Sequence, residues 1–201
     1  MHRIIIVGGG AGGLELATRL GKTLGRRREA HITLVDQSRV HLWKPLLHEI
    51  AAGSANAAAE EIDFLAQASW YHFQFRLGRV DGLDRNAKRI SLAPTLDADG
   101  TEIVPPRTFE YDTLVLALGS VSNDFGIPGG TEHAHRLDTR EEALAFNRVL
   151  LNACLHLQTQ TTPADPGQLN VVIVGGGATG VELAAELHTT TRLIAQYGLD
   201  R

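Results

Sequence analysis

The run IIIVGGGAGGLELATRL, Ile4 to Leu20, returns in outline as VVIVGGGATGVELAAEL, Val171 to Leu187. Each copy is a short apolar run of β-branched residues, then glycines, then apolar residues at helical spacing, which describes a strand entering a helix through a tight turn. The copies align as Gly8, Gly10, Gly13, Ala17 and Leu20 against Gly175, Gly177, Gly180, Ala184 and Leu187, with Glu15 and Glu182 also in register. The first glycine permits the turn, the second lets a phosphate approach bare backbone, and the third lets helix and strand pack closely. The start of such a helix offers amide donors and a partial positive charge to an anion.

A lone G-x-G-x-x-G is weak evidence, but the first copy has its context. HITLVD, His31 to Asp36, reads as the next strand of a β-α-β unit, and Asp36 falls 23 residues after Gly13. An acid near that spacing takes the adenosine ribose hydroxyls of a dinucleotide. In the second copy the corresponding strand and acid would lie past Arg201, so its signal is formally incomplete.

Between the copies, Pro45 argues against a regular element through the start of HLWKPLLHEIAAG, His41 to Gly53. AEEIDFLAQ from Ala59 reads as a short helix with acids in its first turn. From Phe73 the segments FQFRL, GRVDGLD, KRISLA and EIV alternate at close spacing, as in a small antiparallel insertion. DTLVLALGS, Asp112 to Ser120, reads as a buried parallel-type strand. A helix from Thr139 to about Gln158 opens with a capping box, Thr139 with Glu142, and TTPADPGQ reads as a linker.

The expected fold class is therefore α/β. A Rossmann-like domain with a parallel sheet and a small antiparallel β insertion takes residues 1–165, and residues 166–201 begin a second Rossmann-like domain. The 201 residues carry a formal net charge of −4, which suggests neither nucleic acid nor an anionic membrane surface as partner. The basic run Arg26 to Arg28 reads as a solvated turn past the first helix. Cys154 is the single cysteine, so no internal disulfide is open to the chain. IIIVGGG does not fit a signal peptide, and no apolar run approaches the ~20 residues of a spanning helix.

Two dinucleotide loops in one chain have a natural chemical use: one holds a resident redox cofactor, the other a diffusing one, and hydride passes between them. The N-terminal loop, Gly8, Gly10, Ala11, Gly12 and Gly13, would hold FAD non-covalently. The second, Gly175, Gly177, Ala178, Thr179 and Gly180, would hold NADH or NADPH.

With these features, and with GGGAGGLELA, HLWKPLLHEIAAG, YDTLVLALGS followed by SNDFGIPG, and VVIVGGGATGVELAAEL, the chain resembles the two-dinucleotide-binding flavoprotein reductases. More narrowly, it resembles the bacterial type II NADH:quinone oxidoreductases. The resemblance implies that Lys44, Pro45 and Leu46 wall the flavin, with Lys44 available to stabilise an anionic reduced flavin. The alternative is that Lys44 faces water while Trp43, Leu46 and Leu47 pack a core. It also implies that Ala117 to Gly119 bring backbone against FAD and that Val80 offers backbone groups to the adenine. Glu182 is implied to lie near the flavin and the quinone or nicotinamide, as a proton relay, although a carboxylate in a helix's first turn is electrostatically favoured for structural reasons alone.

The stretch after Asp36 has no cysteine pair, which argues against disulfide reduction, and Cys154 falls in an amphipathic helical pattern as a packing residue. His133 and His135 form an H-x-H pair without a converging ligand set, so no metal is expected. Hydrogen bonding within their own segment is the expected use of His41 and His48. The resemblance further implies a chain cut inside its second domain, with a membrane-docking region beyond it. The complete protein would sit on the cytoplasmic side of the inner membrane as a peripheral protein, with homodimerisation left open. Two other readings stay open: a nucleotide-binding module without turnover, and an NAD(P)H reductase of a soluble electron carrier.

Overall fold

The computed structural model describes residues 1–161, 167 and 169–196. The linker TTPADPGQ falls almost wholly outside them. In chain order the elements are β1 (His2–Val7), α1 (Ala11–Leu20) continuing into a π turn (Gly21–Gly25), β2 (Ala30–Asp36), β3 (Val40–His41) and a 3-10 turn (Lys44–Leu46). There follow α2 (Leu47–Ala52), β4 (Ile62–Asp63), α3 (Phe64–Tyr71), β5 (Gln74–Leu77), β6 (Val80–Asp84), β7 (Arg89–Leu92), β8 (Thr95–Leu96) and β9 (Glu102–Val104). The last are β10 (Arg107–Glu110), β11 (Thr113–Leu116), α4 (Gly130–His133), α5 (Arg140–Thr159) and α6 (Ala178–Gln196). They fall into two compact units, Met1–His41 with Glu61–Ser120, and Leu42–Glu60 with Val121–Arg201.

The first unit is built on a parallel sheet of order β11-β1-β2-β5. Period-2 alternation sends successive side chains of its central strands to opposite faces. Ile4, Ile6, Ile32 and Leu34 join Leu14, Ala17, Phe64 and Ala68 from α1 and α3 in one core. Ile5, Val7 and Val35 join Ile90, Leu92 and Tyr111 in a second core on the other face. That explains why IIIV and LV are apolar without interruption: both faces of β1 and β2 are covered, one by helices and one by the antiparallel sheet β10-β7-β6.

The antiparallel insertion is present but starts later than its texture suggests. FQFRL supplies β5, which pairs parallel to β2 from Thr33↔Gln74 to Asp36↔Leu77. Phe73 and Phe75 turn into the helix-side core while Gln74 is exposed, so an edge strand of the parallel sheet carries the alternation of a half-buried hairpin. EIV pairs with β8 as a separate two-stranded ribbon. The helix expected from Ala59 begins at Phe64 instead. Asp63 caps it by accepting from the Ala66 amide at 2.8 Å, which leaves Glu60 and Glu61 outside.

In the second unit, Pro45 sits in the first turn of a short 3-10 segment that leads directly into α2, a position proline tolerates. Leu47, Ile50, Ala51, Ala57 and Ala143 form its core, with Phe146 and Leu183 packed against them. Thr139 and Glu142 make the full capping box at the start of α5. The Asn147 amide of α5 donates to the Ala51 carbonyl at 3.2 Å, where α2 ends on Gly53 at φ +87°. Cys154 is buried on α5, and burial pushes its thiol up.

The second copy departs from its reading in one respect. Residues 171–174 are not a strand, and Val172 and Val174 are 83% and 85% exposed. A strand exists through pairing, and among the described residues none pairs with this segment. No helix among the described residues is long and apolar enough to cross a membrane.

Candidate dinucleotide-binding site

In the first unit, β1 ends at Val7 and the chain turns through Gly8 at φ +102°, a conformation that favours glycine. The Gly8 amide donates to the Val35 carbonyl at 2.8 Å. A methyl group on Gly8 would collide with the Ala117 carbonyl, and one on Gly13 would collide with the Gly8 carbonyl. These two glycines hold strand and helix together. Ala117, whose amide donates to Val7 at 2.7 Å, fills the elbow between them, its Cβ 3.3 Å from where a Gly13 side chain would start.

The middle of the loop is different. Gly10, Ala11 and Gly12 are exposed between the buried Gly9 and Gly13, and a methyl on Gly10 or Gly12 would meet no atom within 4 Å. Gly10 is the N-cap of α1, no side chain caps it, and no acidic residue stands in the first turn. The first amides of a helix have no intrahelical acceptor, so the start of α1 offers donors to open space with the helix dipole behind them. The residues present fit a dinucleotide pyrophosphate.

Asp36, at the end of β2, accepts from the Gly9 amide through Oδ2 at 2.6 Å and from the Ser38 amide through Oδ1 at 2.7 Å. The acid expected at the ribose thus also braces the glycine loop. Gly9 itself was not singled out by spacing. A side chain there would strike the Phe64 ring, and its carbonyl accepts from Nδ1 of the buried His41 at 2.9 Å. His41 and Phe64 lie far along the sequence, and only the tertiary fold brings them beneath the loop. Val80 opens β6 and packs against the second core, and Gly119 stands exposed at φ +72°.

The second unit repeats part of the loop geometry. Gly175 has φ +114°, a methyl on Gly180 would collide with the Gly175 carbonyl, and Gly175 and Gly177 have nothing within 4 Å of a would-be Cβ. The Val181 amide closes the first helical turn on the Gly177 carbonyl at 3.1 Å, as Leu14 does on Gly10 at 2.9 Å. Ala178 and Thr179 are exposed in the opening turn of α6. One turn on, Glu182 Oε2 lies 3.5 Å from Nδ1 of His48 on α2. Lys44 is exposed at the start of the 3-10 turn, and Leu47 nearby is buried. His135 packs edge-on against Phe146, and His133 stands 3.8 Å from Glu132.

A family model described as pyridine nucleotide-disulphide oxidoreductase matches residues 2–195. The chain belongs to this family. Among curated members it is 41% identical to the type II NADH:quinone oxidoreductase of Haemophilus influenzae, over 98% of this chain and 47% of that protein. It is 28% identical to the enzyme of the same name from Staphylococcus aureus, over 99% of this chain and 46% of that one. The chain spans about half the length of the curated relatives it matches. The family fold also appears in NDH2 of Plasmodium falciparum solved in complex with NADH, with a TM-score of 0.79 and 21% identity over 98% of this chain and 39% of that one. The sulfide:quinone oxidoreductase of Aquifex aeolicus superposes with a TM-score of 0.67 and 20% identity, over 100% of this chain and 41% of that one.

Proposed function

We propose that this chain carries the two dinucleotide loops of an NADH:quinone oxidoreductase, with FAD at Gly8–Gly13 and NADH at Gly175–Gly180. The observation that carries the reading is the repeated loop: two glycine turns that enter a helix, each with a first glycine at positive φ, a last glycine packed on the first one's carbonyl, and an open middle. When bound, FAD supplies hydride acceptance from NADH and electron delivery to a quinone. The quinone rests on the likeness to the type II enzymes.

Within this reading the amides of Gly10, Ala11 and Gly12 bind the FAD pyrophosphate, and Asp36 binds the adenosine ribose while it braces Gly9. Val80, Ala117 and Gly119 contribute backbone to the same cofactor. Gly175, Gly177, Ala178, Thr179 and Gly180 do the corresponding work for NADH. Lys44 sets the charge beside the flavin, and Glu182 exchanges protons with the quinone. Residues 1–165 belong to the FAD-binding domain and residues 166–201 open the NADH-binding domain. The complete protein works at the cytoplasmic face of the inner membrane, bound to its surface.

The test is NADH oxidation by the FAD-loaded protein with a water-soluble quinone as acceptor. The reading expects NADH consumption that requires both flavin and quinone. Consumption with ferredoxin or rubredoxin but not with quinone would assign it to soluble carriers instead. FAD and NADH binding without any turnover would make it a nucleotide-binding module.

A further inference from the structure

We propose that His41 is a positioning residue of the cofactor loop, holding the Gly9–Gly10 peptide so that the Gly10 amide points at the pyrophosphate. The proposal rests on the reading that this loop binds FAD. In a trans peptide the carbonyl and the next amide point in opposite directions. The Gly9 carbonyl is drawn inward by His41 Nδ1 at 2.9 Å, so the Gly10 amide is turned the opposite way, and Gly10 itself is exposed.

The rest of the surroundings leave that peptide few alternatives. The Gly9 amide is held by Asp36 at 2.6 Å, which fixes the peptide plane before it. The Phe64 ring closes the space under Gly9 and lies 6.4 Å from the His41 ring, centroid to centroid. His41 is 7% exposed and sits on β3, whose pairing with β4, His41↔Ile62, fixes its backbone just before α3 begins. A carbonyl accepts, so Nδ1 carries the proton in this contact. Without the imidazole, the Gly9 carbonyl would be left buried without this donor and would gain by turning outward, carrying the Gly10 amide inward.

The experiment compares FAD affinity of the full chain with that of His41→Asn, which keeps an N–H donor near the Nδ1 position, and His41→Leu, which does not. The amide NMR shift of Gly10 is read in the absence of FAD for each. The expected result is roughly tenfold weaker FAD binding and a displaced Gly10 amide in His41→Leu, the cost of about one hydrogen bond. His41→Asn should stay within about threefold of the wild type on the same scale. Equal affinity of wild type and His41→Leu overturns the role of His41 and leaves FAD binding standing. Absence of FAD binding by the wild type overturns both. If His41→Leu does not fold, His41→Asn decides: a loss of roughly tenfold there shows that the donor is not what matters.

Discussion

The carbonyl oxygen of Gly8 lies where any side chain on Gly13 would begin, so α1 sits on the end of β1 with no room for a methyl group. Gly10, three residues earlier, faces open space at φ −64°, a conformation alanine adopts readily. The two glycines should therefore fail differently. Gly13→Ala should destabilise the chain by about 1–3 kcal/mol through overpacking. Gly10→Ala should leave stability within about 0.5 kcal/mol while lowering FAD affinity, because the methyl group occupies the phosphate's place. Thermal melts and a flavin titration on both variants separate the effects.

That division of labour was legible in the sequence because the spacing of Gly8, Gly10 and Gly13 encodes local geometry, a turn and a helix start. The capping box at Thr139 was legible for the same reason. What the sequence hid depends on partners remote along the chain. β5 reads as hairpin because its Phe73 and Phe75 alternate, and only its pairing with β2 places it in the parallel sheet. Residues 171–174 have strand composition and lack a paired strand among the described residues. The support of Gly9 by His41 and Phe64 joins positions that no spacing rule connects.

Glu182 faces His48 at 3.5 Å, and a carboxylate beside an imidazole is suited to passing protons. In the FAD-loaded, quinone-reducing protein, Glu182→Gln should slow quinone turnover on the order of 10²-fold while flavin content stays unchanged. Steady-state rates together with the flavin-to-protein absorbance ratio check this. Wild-type turnover would remove Glu182 from the proton path.

Arg3 ties the start of β1 to Asp112 and Glu110, donating to Asp112 from its backbone amide at 2.7 Å and from its guanidinium at 3.1 Å, and to Glu110 at 2.6 Å. The hydrogen bonds from Arg3 hold both carboxyls below the usual carboxylate range. Groups lowered in this way contribute stability that is complete above about pH 5 and is lost as pH falls through their folded values. Arg3→Met should therefore lower the melting temperature at neutral pH, and the gap to wild type should narrow on acidification. Melts across the acid range check the sign.

Thr139 accepts from the Glu142 amide at 3.2 Å, and Glu142 returns to the Thr139 amide at 3.1 Å. Thr139→Ala should cost about 1 kcal/mol, the usual value of a helix N-cap, with no change in FAD affinity. Chemical denaturation supplies the first number and flavin titration the second.

Cys154 is 3% exposed and its thiol is raised by burial, so little thiolate is present at neutral pH. The native chain should react slowly with iodoacetamide and the denatured chain rapidly. Fast native labelling would show that α5 opens more readily than its packing indicates.

The central claim is that the open middle of each glycine loop receives a dinucleotide phosphate, and the amide NMR shifts of Gly10, Ala11 and Gly12 on addition of FAD test it most directly. The account predicts saturable shifts concentrated at these three residues and at Asp36, with Gly177, Ala178 and Thr179 responding to NADH. Unmoved loop amides at saturating FAD, or shifts confined to other parts of the chain, would contradict it.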